Sequence, residues 1–163
     1  MGAQTEQAGH AQVTLDDKDY EILKLLQENS KLTIREIASK VHLSPTPTHE
    51  RIKRLEREGV IRKYVALLDN RKINKGITVI VQISLKEHNK RAAQEFIDAV
   101  LEFKEVTECY NISGDFDFML KIVVESMGSF HYFSVNKLSE ISGIAQTKSI
   151  FVMDTIKETP LLL

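Results

Sequence analysis

Apolar residues recur every three or four positions through the first sixty residues and every second position from Ile77, so the chain divides into a helical part and a strand-rich part. Leu15, Ile22, Leu23, Leu25 and Leu26 form the stripe of a first helix, with Asp16 as its cap and Asp17 and Asp19 in its first turn, opposite the positive helix end. Thr33 followed by Glu36 is a capping-box spacing, and it opens a second helix with Ile34, Ile37, Ala38 and Val41 inward. His42-Leu43-Ser44 then makes a tight turn into a third helix. Ser44 is its N-cap, and Pro45 and Pro47 fall in the first turn, where a missing N–H costs nothing. Gly59 ends it, and Val60 and Ile61 pack back on its end. At about 100° per residue, Thr48, Ile52 and Leu55 share one face, while Thr46, Glu50, Lys53, Arg54 and Arg57 share the other.

Beyond Gly59 the segment Arg62–Asp69 is rich in β-formers and reads as a short strand, and residues 70–76 (NRKINKG) read as a linker. Ile77, Val79, Val81, Ile83 and Leu85 line one face of the next strand, with Ile80 and Gln82 on the other. An amphipathic helix over 89–103 turns Ala92, Ala93, Phe96, Ile97, Val100 and Leu101 inward. Strands over 106–113 and 116–125 meet at Gly114-Asp115. Ser126 caps a last helix with Phe130, Phe133 and Leu138, and Gly143 leads into a final strand over 144–153. The order βαββαβ predicts a ferredoxin-like sandwich with both helices on one face of an antiparallel sheet. The expected architecture is α+β: a disordered extension over 1–14, a three-helix, winged-helix-like unit over 15–61, a strand and linker over 62–76, and the sandwich over 77–163. Ile80, Met119, Val123, Phe151 and Met153 are expected on the uncovered sheet face, which argues for a homodimer packed sheet to sheet.

Composition changes this picture in one respect. The formal net charge is only -1, but residues 33–76 carry 11 Lys/Arg against 5 Asp/Glu, while residues 1–32 carry 3 against 6 and residues 77–163 carry 8 against 12. The positive field is therefore expected on the two tightly joined helices, with the flanks cancelling it in the total but not in space. Two helices joined so tightly, the second with a polar basic face, predict a helix-turn-helix that places a recognition helix in the major groove of double-stranded DNA. The candidate DNA contacts are Thr46, Pro47, Thr48, His49, Glu50, Lys53, Arg54 and Arg57, with Arg62 and Lys63 reaching the phosphate backbone.

The segment SPTPTHERIKRLEREGVI, and within it Arg51 to Ile61 in the form RxxRLExxGVI, closely resembles the helix-turn-helix of the Lrp/AsnC, or feast/famine, transcription regulators. The resemblance runs from Leu15 to about Lys157, and it includes a turn of the form SGDxD at Ser113-Gly114-Asp115-Phe116-Asp117. It implies a regulatory domain that binds an amino acid and dimers that assemble to octamers, with this turn at a junction between dimers. Carried over by position, Asp115 and Asp117 are candidates for an ammonium group or for shaping the loop. Thr147, Ser149, Ile150 and Phe151 are candidates for the facing wall. Read from spacing alone, Gly114 and Asp115 equally make the hairpin turn their residue types favour.

The remaining chemistry is sparse. His10, His42, His49, His88 and His131 lack metal-ligand spacing, no nucleophile or phosphate-loop motif is present, and Cys109 stands alone, so no catalytic residue, metal or cofactor is expected. A siroheme-decarboxylase-like enzyme, which resembles the same two-domain family, is the enzymatic alternative, and the intact basic helix face argues against it. An effector-independent architectural DNA-binding protein is the other alternative. No apolar run approaches the roughly 18 residues of a membrane span, and a cytoplasmic location with no membrane partner is expected.

Overall fold

The computed structural model describes residues 13–159 and Leu163, so the extension expected over 1–14 lies almost wholly outside the described residues. The chain divides into two compact units between Ala66 and Leu67, and residues 157–159 and Leu163 are grouped with the first.

The first unit holds α1 (Asp17–Glu28), α2 (Ile34–Lys40) and α3 (Pro45–Arg57). Asp16 caps α1 through a reciprocal box with Asp19, and Thr33 caps α2 through the same device with Glu36. The turn between α2 and α3 reverses at His42, which takes a left-handed φ of 57°. Ser44 stands at the N-cap of α3, but its side chain makes no capping bond; instead the Thr48 hydroxyl donates back to the Ser44 carbonyl at 3.0 Å. Pro47, the third helical residue, removes one of the donors a Ser44 side chain would have served. Ile22, Leu23, Ile37, Val41, Ile52 and Leu55 make the core, with Leu15, Leu25, Leu26, Leu32, Ile34, Leu43, Val60 and Ile61 packed around it.

The second unit holds β1 (Ile77–Leu85), α4 (Lys90–Leu101), β2 (Val106–Asn111), β3 (Phe118–Val124), α5 (Met127–Asn136) and β4 (Ile144–Phe151). The sheet order is β2-β3-β1-β4 with every neighbour antiparallel, which is the ferredoxin-like arrangement. Val79, Val81, Ile83 and Leu85 of β1 join Phe118, Leu120, Ile122 and Val124 of β3 beneath Phe96 and Val100 of α4 and Phe130 and Phe133 of α5. Period-2 alternation thus puts one face of each central strand under both helices. Ring contacts tighten this layer: Phe96 and Phe118 lie 4.7 Å apart, and Phe103 meets Phe133 edge-on at 5.4 Å.

Three expectations need correction. Arg62–Asp69 forms no strand: its β-forming side chains Tyr64, Val65, Leu67 and Leu68 are exposed, and no strand among the described residues offers its backbone a ladder. Leu101, expected inward, is 72% exposed because the helix ends there and Phe103 takes the inward place. Phe151 does not belong to the uncovered face, since it pairs with Val79 and meets Phe130 of α5 at 5.2 Å.

The uncovered face is also less apolar than its pattern suggested. Ile80, Met119 and Ile150 share it with Gln82, Lys148 and a polar group in which Lys121 donates to Glu108 at 3.1 Å and Tyr110 donates to the same carboxylate at 2.6 Å. Val123 is already buried within the chain, and Met153 lies past the end of β4.

Candidate nucleic-acid interface and effector turn

α3 presents a polar outward face because its three core residues, Thr48, Ile52 and Leu55, fall within one turn-spaced stripe. Thr46, His49, Glu50, Lys53 and Arg57 are exposed, as are Arg62 and Lys63 beyond the helix; Pro47 is half-buried. Thr48 is the exception among the candidate contacts. Its side chain is fully buried and bonded to Ser44, so it supports the helix start and presents nothing to a groove.

The cations of α3 fall into two groups. Lys53 is solvent-exposed and pairs with Glu56 at 2.9 Å, and Arg57 is exposed with Glu58 at 3.9 Å. Arg51 and Arg54 turn toward α1 instead. Arg51 Nη1 donates to Asp19 Oδ1 at 2.8 Å and to Asp16 Oδ2 at 2.7 Å, and Arg54 Nη2 donates to Asp19 Oδ2. The bonds from the Asp19 N–H and from Arg51 hold the Asp16 carboxyl below its ordinary range, and those carboxylates in turn hold the Arg51 proton more firmly. In the sequence Asp19 reads only as a first-turn acid. Its place three residues after Asp16, on the same face as Ile22 and Leu23, is the signal that it points inward.

Glu56 links Lys53 to the exit of the helix, where the Tyr64 hydroxyl donates to Glu56 Oε1 at 3.1 Å. Partial burial, with this bond to a carboxylate, pushes the Tyr64 phenol up to about 12. Tyr64 lies outside the expected contacts and had no distinguishing spacing.

In the second unit the SGDFD turn joins β2 to β3. Gly114 has φ of 116°, a conformation that strains any side chain, so the turn depends on glycine there. Asp117 is spent on the fold: its Oδ2 accepts from Leu85 N at 2.7 Å, its Oδ1 meets His88 Nδ1 at 3.0 Å, and its own N–H donates to the Ile83 carbonyl at 2.8 Å. Asp115 is exposed and makes no hydrogen bond or ion pair among the described residues, and Ser113 and Gly114 are exposed beside it, with Phe116 half-buried. Thr147 flanks Ile83 on the side opposite Phe118, so it lies at the same end of the sheet as the turn. Ser149, Ile150 and Phe151, all exposed, run toward the opposite end, Phe151 lying about 13 Å beyond Thr147 at strand spacing. A single chain therefore places Thr147 at the turn's end of the sheet and the other three toward the opposite end.

Residues 15–62 match the family model for a winged helix-turn-helix DNA-binding domain, and residues 78–162 match the model for the Lrp/AsnC ligand binding domain. The chain belongs to the Lrp/AsnC family of transcription regulators. Among its relatives is the leucine-responsive regulatory protein of Haemophilus influenzae, 38% identical over 91% of this chain and 89% of that protein. The Bkd operon transcriptional regulator of Pseudomonas aeruginosa is 34% identical over 87% of this chain and 93% of its own. An AsnC family transcriptional regulator from Agrobacterium tumefaciens has the same fold, with a TM-score of 0.87 at 40% identity over 91% of this chain and 97% of that one. A Neisseria meningitidis transcriptional regulator, solved as a complex with L-Met, superposes with a TM-score of 0.85 at 35% identity, covering 90% and 95% of the two chains. This family carries a helix-turn-helix for DNA and a domain for an amino-acid ligand, and no helix among the described residues is long and apolar enough to cross a membrane.

Proposed function

We propose that this regulator reads double-stranded DNA with the outward face of α3 and adjusts its assembly in response to an amino acid held at the SGDFD turn. The observation that carries the first part is the composition of that face. Thr46, His49, Glu50, Lys53 and Arg57 are exposed around it, with no apolar residue among them, and Arg62 and Lys63 follow at the helix exit. Side chains near the helix start reach base edges, while Lys53, Arg57, Arg62 and Lys63 meet phosphates.

The second part rests on the difference between the two acids of the turn. Asp117 already has its partners, whereas Asp115 is an exposed acceptor beside the N–H groups around Gly114, the combination an α-ammonium and α-carboxylate require. The Neisseria protein solved with L-Met supports an amino acid as the ligand class. Because Ser149, Ile150 and Phe151 stand away from the turn of their own chain, a pocket using all of them needs a second copy to supply one wall. Sheet-to-sheet dimers joined at these turns, up to an octamer, meet that need. The chain then acts in the cytoplasm as a binding protein without catalysis.

Coupling requires that the amino acid bind one assembly better than another. The test is to select a binding site from a random duplex pool, then measure affinity and assembly mass with each of the twenty amino acids. At least one should change affinity, cooperativity or mass. If none does, the effector-independent architectural reading replaces this one.

A further inference from the structure

Half of the positive charge on α3 is turned away from its outward face. The Asp19 side chain is only 1% exposed, and it receives both Arg51 and Arg54, while Arg51 also spans to Asp16. Two carboxylates and two guanidiniums sum to zero, so this group projects little field into the groove. Arg54 Nε is buried without a hydrogen-bond partner, which shows the guanidinium directed inward. For either arginine to move to a phosphate, Asp19 would have to lose a partner in a desolvated site, and that penalty opposes the exchange. Lys53 has no such constraint. Its side chain is 60% exposed, and its pair with Glu56 is of the solvent-screened kind that a phosphate replaces at small cost.

We propose that Asp19 is a positioning residue for DNA recognition. It fixes α3 against α1 through Arg51 and Arg54 and withholds both guanidiniums from the phosphates, leaving Lys53, Arg57, Arg62 and Lys63 to make the electrostatic contacts. The inference rests on α3 being the DNA-reading helix. Its consequence is fewer sequence-independent phosphate contacts than four basic residues on one helix suggest, which limits binding to unrelated DNA relative to a selected site.

The salt dependence of DNA affinity tests this on the full chain, with a mixed-sequence duplex and a duplex selected from a random pool as probes. Lys53→Met should flatten the slope of log affinity against log salt by about 0.9, the loss of one phosphate contact. Arg54→Met should leave the slope at the parent value. Asp19→Asn should steepen it and raise affinity for the mixed-sequence duplex more than for the selected one, and the double variant Asp19→Asn with Arg54→Met should return toward the parent. A merely structural Asp19 would lower the melting temperature without moving the slope, and that result overturns the proposal. So does an Arg54→Met slope flatter by about 0.9. If circular dichroism shows Asp19→Asn unfolded, Arg54→Met and Arg51→Met decide alone by whether their slopes change. A parent chain that binds neither duplex removes the DNA-reading role of α3 itself, a different failure from any of these.

Discussion

The sheet unit gathers thirteen buried apolar residues into one cluster, with Phe96, Phe118 and Phe133 among its fully buried side chains, whereas the helical unit gathers six and adds a wholly buried carboxylate. A helical domain of this size buries a smaller share of its surface than a larger one and is correspondingly marginal. The Asp19 group supplies what the small core does not: a defined angle between α1 and α3, since two guanidiniums from successive turns of one helix converge on one carboxylate of the other. Such a buried pair gives orientation more reliably than net stability. The sheet unit needs no equivalent, and its charged pairs, such as Lys137 with Glu105 and Lys75 with Glu125, sit at its margins.

The largest effect expected from this contrast comes from Phe96→Ala. Removing a fully buried ring should cost about 3–5 kcal/mol in chemical denaturation and should abolish any assembly that the sheet supports. Survival of assembly with an unchanged midpoint would show that the cluster is not the stabilising centre. Next is Asp19→Ala, which strands two arginines. We expect a loss of about 2–3 kcal/mol in the first unit, below the 3–5 of a fully buried pair because Arg51 and Arg54 are still partly screened by solvent. If Asp19→Ala left the melting of the helical unit untouched, the contrast between the units would lose its basis.

Acid should separate the units more gently. The folded Asp16 carboxyl lies below its ordinary value of 3.8, chiefly through the Asp19 N–H and then Arg51. A depressed carboxyl contributes stability that is complete above about pH 4 and is lost as pH falls through the lower folded value. The helical signal should therefore weaken from about pH 4 downward, and Asp16→Asn should flatten that dependence. The smallest effect concerns Tyr64. With the Tyr64 phenol pushed up to about 12, part of the tyrosinate absorbance near 295 nm should develop only toward that pH and be missing from Tyr64→Phe, a variant that should change stability by no more than about 0.5 kcal/mol. The raised value contributes stability present below pH 10 and lost as pH rises toward 12. If the absorbance missing from Tyr64→Phe belonged instead to the part that develops near pH 10, the Glu56 bond would be absent in solution.

Local rules carried most of this fold. The cap at Asp16, the reciprocal cap at Thr33, the stripe of Thr48, Ile52 and Leu55, and the alternation through β1 and β3 follow from spacing within one element, and the structure repeats them. What failed were matters between elements. Phe151 lies on the helix side because of the register of β4 on β1, and periodicity within β4 cannot reveal that register. Residues 62–69 have β-forming side chains but no strand to pair with, so propensity there had nothing to act on.

Charge behaved the same way. Counting by segment separated the acids of residues 1–32 from the bases of residues 33–76, yet Asp16 and Asp19 sit on Arg51 and Arg54, so part of the cancellation does take place in space. In the turn, SGDFD marked the right loop, but only geometry distinguishes Asp117, committed to Leu85 and His88, from Asp115, exposed and without a partner among the described residues.

That distinction supports the regulatory half of the account, and calorimetric titration of the full chain with each of the twenty L-amino acids tests it most directly. Saturable heat is expected with at least one, lost in Asp115→Asn and retained in Arg54→Met, whose change lies in the other unit. Heat from none of the twenty, or heat that survives Asp115→Asn unchanged, would contradict an amino-acid site at this turn.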